Sequence, residues 1–234
     1  MKESRLVNMK RIIVIVLVLS LAASLAACQA TDVVGKVAVT SFEAVLNKIP
    51  DKIASDEVNN GWALTSPTGE RFIWGKDFSK EGAPDIMLEF DAKPFINAGL
   101  DVNKLPKETY LYVSDMDKLM VHSELGNEKF TYSGEAKPLD SFKKIVETHR
   151  DSIGYHEKLD HYGVALGNGN MFEWAKDMNT NDKDIVFVLN PQPFIDAGVD
   201  PAKVEGWVFA KVPVKDDNGK DIEVDKLLKP FDLK

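Results

Sequence analysis

Cysteine is almost missing from this chain: Cys28 is the only one in 234 residues. A lone thiol excludes an intrachain disulfide and any cysteine-rich metal centre. Long apolar runs are missing too. The uninterrupted stretch Ile12 to Leu19 falls well short of the about 20 residues that cross a bilayer as a helix. Positive charge is in deficit, with 29 Lys and Arg against 37 Asp and Glu, a formal net charge of −8. A net-acidic chain repels phosphate backbones, so no nucleic-acid partner is expected. The common catalytic signatures are also absent. The chain has no Gly-x-Ser-x-Gly, no Gly-rich phosphate loop ending in Lys-Ser/Thr and no His-Glu-x-x-His. What remains is 44% hydrophobic and 28% charged, the composition of one or two ordinary globular domains.

What the chain does have is a stretch that it says twice. Asp85-Ile-Met-Leu-Glu-Phe-Asp-Ala-Lys-Pro-Phe-Ile-Asn-Ala-Gly-Leu-Asp-Val-Asn-Lys104 recurs as Asp184-Ile-Val-Phe-Val-Leu-Asn-Pro-Gln-Pro-Phe-Ile-Asp-Ala-Gly-Val-Asp-Pro-Ala-Lys203. A period near 100 residues means a duplicated domain rather than a solenoid of short units. Ile86, Leu88 and Phe90 alternate with Met87 and Glu89, the period of a strand with one buried face. Ile185 to Leu189 is apolar on both faces, as in a more central strand. Asp91 and Asn190 stand where a side-chain oxygen can take the first free amides of a short helix. Gly99 and Gly198 stop it, because glycine reaches positive φ without strain. Asp101 and Asp200 then cap one further turn. The expected unit is strand, two-turn helix, sharp stop, second turn.

The N-terminus reads differently. Lys10 and Arg11 precede the apolar run, and small residues follow it, the layout of a secretory signal. Its end, Leu25-Ala26-Ala27-Cys28, resembles a bacterial lipobox. That resemblance implies cleavage before Cys28, a diacylglyceryl thioether on its sulfur and acylation of its new amino group with a palmitate-like chain. It also implies an extracytoplasmic protein held to a bacterial membrane through lipidated Cys28. Loss of the signal takes four basic residues and one acidic residue with it, so the net charge falls from −8 to about −11. The anchor, not charge, must then hold the protein to anionic lipid.

Residues 1–27 are therefore read as signal peptide and 28–40 as a tether rich in valine. Residues 41–140 and 141–234 are read as two repeat domains. Ser41 suits the N-cap of a helix carrying Phe42, Val45, Leu46 and Ile49, and Ser141 opens copy two in the same way with Phe142, Ile145 and Val146. In each copy a hairpin follows, turning at Pro67-Thr-Gly69 and at Gly167-Asn-Gly-Asn170. Then come the strand–helix unit and two closing strands. The expected fold class is α+β: two tandem copies of a helix plus a mostly antiparallel sheet. Each copy is long enough for a core of its own, and Gly126 to Gly134 is the expected link between them.

Candidate binding residues follow from the repeats. Trp74-Gly-Lys-Asp77 and Trp174-Ala-Lys-Asp177 place an aromatic face beside a carboxylate, a platform for a sugar or a cation, or else a core tryptophan at a strand end. Trp62 and Tyr162, with Tyr110, Tyr112, Tyr132 and Trp207, are candidates for the wall of a cleft between the copies, against the alternative of two ordinary cores. The polar loops after Asp77 and Asp177 carry oxygens at alternate positions, a weak echo of a calcium loop. His149, His156 and His161 belong to copy two alone, where Ile49, Asp56 and Gly61 stand in copy one. They are the candidate ligands for a transition metal or haem, although spacings of seven and five fit no compact pair on a helix. No cofactor is expected beyond these possibilities.

The first functional expectation is a non-catalytic module that binds a small molecule or an envelope protein. A hydrolase using carboxylates between the repeats and a structural lipoprotein of envelope assembly are the alternatives.

Overall fold

The computed structural model describes residues 28–76, 85–123, 137–156, 160–176, 183–215 and 220–232. The signal segment, the expected link at 126–134, Asp77, Asp177 with their loops, and Tyr132 lie outside the described residues.

Two six-stranded antiparallel sheets make up most of the fold. Copy one supplies β1 (Ile53–Asp56), β2 (Gly61–Thr65), β3 (Arg71–Gly75), β4 (Ile86–Asp91), β5 (Tyr110–Val113) and β6 (Lys118–His122). Copy two supplies β7 (Ile153–His156), β8 (His161–Gly167), β9 (Asn170–Ala175), β10 (Ile185–Leu189), β11 (Val208–Lys215) and β12 (Asp221–Phe231). The strand orders are β1-β2-β3-β4-β6-β5 and β7-β8-β9-β10-β12-β11, so the two copies trace the same path. The fold is α+β, and its sheet is built twice.

Among the described residues four α-helices accompany the sheets: α1 (Cys28–Lys48), α2 (Lys93–Asn97), α3 (Pro138–Thr148) and α4 (Gln192–Asp196). The short α2 and α4 form as their local chemistry dictates. Asp91 and Asn190 accept the Lys93 and Gln192 amides at 3.0 and 3.1 Å. Gly99 and Gly198 end the helices at φ of 110° and 102°. Asp101 and Asp200 accept from Asn103 and Ala202 and so cap the 3-10 turns that follow.

The segment 28–40 is not an extended tether. It is the first part of α1, which runs unbroken from Cys28 to Lys48. Its valines are weak helix formers, but propensity is a small term beside packing. Ala38, Ser41, Phe42, Val45 and Ile49 fall on one side of the helix and are buried. Ser41 and Ser141 are consequently not N-caps. Each lies inside a helix, and α3 begins at Pro138, a residue suited to a first helical turn.

The serines do something else. Trp74 Nε1–H donates to Ser141 Oγ at 3.0 Å, and Trp174 Nε1–H donates to Ser41 Oγ at 2.7 Å. Each serine hydroxyl in turn donates to the carbonyl three residues back, Ala38 or Pro138. The partners are crossed: the tryptophan of each copy bonds the helix of the other. Helix α1 lies on β7, β8 and β9 of copy two, and α3 lies on β3 of copy one. Their C-terminal ends follow suit, with Lys48 3.8 Å from Asp184 and His149 Nε2 2.7 Å from Asp85. The helices are exchanged.

The copies therefore share one core instead of holding one each. A single buried cluster contains Phe42, Phe72, Trp74, Phe90 and Phe95 together with Phe142, Phe172, Trp174, Phe187 and Phe194. Equivalent residues meet each other along its middle. Phe42 stacks on Phe142 at 3.8 Å, Phe72 on Phe172 at 3.8 Å with planes 4° apart, and Phe95 lies 4.9 Å from Phe194. The backbones close the row reciprocally: Asp101 N–H donates to Ala197 O and Asp200 N–H to Ala98 O, both at 2.9 Å. A Cβ on Gly99 would fall 2.6 Å from Gly198 O, and one on Gly198 would fall 2.8 Å from Gly99 O. Contacts between equivalents mark a two-fold axis, here inside one chain.

Candidate functional site

Among the described residues the space between the two sheets is filled by buried side chains, and this decides the fate of the aromatic candidates. Trp74 and Trp174 are fully buried, and their indole N–H groups are spent on the serines. Tyr162 is buried between Trp174 and Tyr155, with ring centroids at 6.3 and 5.0 Å. Trp62 is half-buried, and Lys76 Nζ sits 5.3 Å over its ring while pairing with Glu57 at 2.8 Å. Tyr110 is buried against Phe194 and bonded to Asn170, and Trp207 packs on Phe90 and Phe95. These rings pack in or against the shared core, and among the described residues they do not line the candidate cleft between the repeats.

The histidines are not brought together as one group. His149 ends α3 and meets Asp85 of copy one. His156 and His161 face each other across β7 and β8. Among the described residues no group of three or more His, Cys, Asp or Glu side chains could hold a metal ion.

His161 instead faces a residue that the motif reading passed over. Glu173 on β9 is 1% exposed, His161 is 2% exposed, and Nδ1 lies 3.9 Å from Glu173 Oε2. That is too long for a hydrogen bond. Both His161 ring nitrogens and Glu173 Oε2 are without hydrogen-bond partners. Burial pushes the Glu173 carboxyl up from its ordinary value, and nearby His161 and Lys226 offset this only in part. Burial likewise pulls Lys226 down, although its Nζ donates to Gly169 O at 2.7 Å. The signal was present in the sequence: a lone glutamate inside Met171-Phe-Glu-Trp174, where copy one has Ile73.

The outer face of copy two is also covered by its own hairpin. Of β12, residues 227–231 pair with β10, while the rest of the strand pairs with β11 alone. Val212 on this projecting hairpin packs with Met171, Val186, Val188 and Leu228. The corresponding hairpin of copy one is short, with strands of four and five residues.

An accessible recess lies on the helices. A groove of about 350 Å³ runs between α1 and α3, lined by Gly35, Lys36, Val39, Thr40, Lys143, Val146, Glu147 and Arg150. Its origin is a difference between the copies. Helix α3 matches residues 38–48 of α1, and the ten residues 28–37 have no counterpart in it. The end of this extension, Gly35 and Lys36, forms one wall together with Val39 and Thr40. Gly35 sets the spacing, since a Cβ there would come within 3.3 Å of Val146 Cγ1. Glycine inside a helix costs about 0.5–1 kcal/mol relative to alanine, and close approach of the second helix offsets that cost. The floor is apolar, from Val39 and Val146. Lys36, Lys143 and Arg150 stand exposed at the rim. The one acid, Glu147, is engaged by Lys144 at 2.7 Å. In a chain of net charge −8 the groove reverses the local sign.

The structure thus defines a duplicated α+β protein with exchanged helices, a closed core and a basic groove on its helical side. No family model, no curated protein and no solved structure matches this chain. Among the described residues no helix is long and apolar enough to cross a membrane.

Proposed function

We propose that this chain is an extracytoplasmic lipoprotein, held to a bacterial membrane by acyl groups on Cys28, and that it is a non-catalytic binding module. Its ligand site is the groove between α1 and α3. The observation that carries this reading is the continuity of α1: among the described residues the helix is unbroken from Cys28 to Lys48, and its residues Gly35, Lys36, Val39 and Thr40 build a wall of the groove. Anchor and site then lie on one helix.

The packed core between the copies supports binding over hydrolysis. A carboxylate pair acting between the repeats needs open space there; stacked phenylalanines fill the space between the sheets, and the groove between α1 and α3 is lined by one carboxylate, Glu147. The cations around an apolar floor favour a ligand with an anionic group beside an apolar part.

Metabolic labelling with a fatty acid, followed by native mass spectrometry of the protein purified from its own source, tests the proposal. Label in the wild type and none in Cys28→Ala is the expected result, with a co-purifying anionic mass. Equal labelling of the variant, or cleavage elsewhere, contradicts the anchor. Turnover of an ester or glycoside by the pure protein contradicts the non-catalytic role.

A further inference from the structure

The groove lies close to the anchor. Gly35 and Thr40 stand seven and twelve residues beyond Cys28 on one unbroken helix. At about 1.5 Å per residue the groove opens about 10 Å from the acylated residue and ends about 18 Å from it. The near end of the groove is then just beyond a headgroup layer of about 5–8 Å and within about one screening length, about 8–10 Å in physiological salt, of the acylated residue. We infer that the occupant of the groove is the anionic headgroup of a membrane phospholipid, so that the domain lies down on the bilayer that anchors it and does not stand off from it. This rests on the lipoprotein reading above and names the ligand class for the same groove.

Three features of the site fit that ligand. Lys36 and Lys143, one from each wall, place ammonium groups at the rim, which suits a phosphodiester approached from above. Among the described residues Lys143 pairs at a distance with Asp140 of its own helix, at 3.8 Å. Arg150, at the start of the 3-10 turn after α3, adds a guanidinium with a phosphate-matching fork. Val39, Val146 and the bare Gly35 backbone give the glycerol and first methylenes an apolar floor. The lone carboxylate, Glu147, is turned to Lys144 and its charge is compensated.

The chain's overall charge points the same way. A protein with 37 acidic and 29 basic residues is repelled by an anionic surface in most orientations. An anchored protein with a basic groove near its anchor has an orientation that escapes this repulsion. The groove therefore sets which face meets the membrane as well as what it binds.

The test uses the full acylated protein, reconstituted in nanodiscs of phosphatidylcholine alone or of phosphatidylcholine with phosphatidylglycerol. Hydrogen exchange is read at residues 35–40 and 143–150, and native mass spectrometry counts retained lipid. Anionic discs should slow exchange in both segments, and one phosphatidylglycerol should stay on the released protein. In Lys36→Glu with Lys143→Glu, retention should fall about tenfold or more, each cation near an anionic surface being worth about fivefold. Unchanged protection of strands 86–91 and 185–189 shows that the variant keeps the fold. Equal protection on both discs, or retention untouched by the variant, overturns the inference. Millimolar inorganic phosphate giving the same protection on phosphatidylcholine discs assigns the groove to a soluble anion instead, and overturns it too. The intact mass separates the two levels: a Cys28 without acyl groups refutes the anchor, while lipid added as vesicles still reports on the groove.

Discussion

The outer faces of the two sheets carry the same backbone and opposite solutions to buried charge. On copy one, Arg71 reaches Asp56 at 2.6 Å and Glu89 at 3.0 Å, and Asn59 adds two bonds to Asp56. Burial would raise the Asp56 carboxyl, but the Asn59 bonds and the Arg71 guanidinium outweigh it and hold the group below its ordinary value. On copy two the matching positions are His156, Met171 and Val188, and the charge has moved to Glu173 beside His161. Copy one satisfies its ions, whereas copy two buries a carboxylate oxygen and an imidazole without hydrogen bonds. What the copies keep in common is the inner face: Phe42 with Phe142, Phe72 with Phe172, and a serine for each tryptophan. The axis tolerates no drift, because a change on it meets its own twin. The outer faces and the helix extension were free to diverge.

That contrast can be broken most severely at Arg71. In Arg71→Leu two buried carboxylates lose their cation, and removal of one partner from such a network costs about 3–5 kcal/mol. Urea denaturation should show a loss near the lower figure, since Arg71 is itself partly exposed. Met171→Leu, the matching site in copy two, should lose less than about 1.5 kcal/mol.

The next effect has the opposite sign. Glu173→Gln should raise stability at pH 7 by about 1–3 kcal/mol, the order of the penalty for an uncompensated buried polar group. The pH dependence follows from the raised carboxyl of Glu173. Its folded form holds the proton longer than the unfolded chain does. The wild type should therefore match the variant below about pH 4.5, the unfolded value, and fall behind as the pH rises from there through the raised folded value. Denaturation midpoints of both proteins at pH 4.5, 6 and 8 measure this, and a constant gap would contradict it.

The smallest effect tests the symmetry. Ser41→Ala and Ser141→Ala each leave one buried indole N–H without its serine acceptor, a cost of about 1–3 kcal/mol. Trp74 also has Pro138 O within 3.0 Å. Loss at Ser141 should therefore be the lesser of the two in thermal unfolding.

Much of the fold was legible where the chemistry is local. The strand–helix units at 85–104 and 184–203 form as expected because a side-chain oxygen, a glycine and a second aspartate each act within a few residues. The exchange of helices was not legible. Phe42, Val45 and Ile49 present the same apolar face whichever sheet receives it, so periodicity is silent on the partner. Ser41 misled for a similar reason, since one hydroxyl suits a helix cap and an indole acceptor alike. At the site, the groove needed Gly35 and Val146 to be known as neighbours, and they stand more than 100 residues apart. Only Glu173 gave a sign in advance, as an acid in a strand whose twin carries isoleucine.

The shared core and the groove both depend on the crossing of the helices, and one cross-linking measurement tests it. In chains lacking residues 1–27 and with Cys28→Ala, two pairs of cysteines are compared: Lys48→Cys with Asp184→Cys, and Lys48→Cys with Asp85→Cys. Because α1 ends beside Asp184 of copy two, mild oxidation should join the first pair quickly and leave the second open. Rapid closure of the 48–85 pair with none at 48–184 would place each helix on its own sheet, and would contradict both the shared core and the groove built upon it.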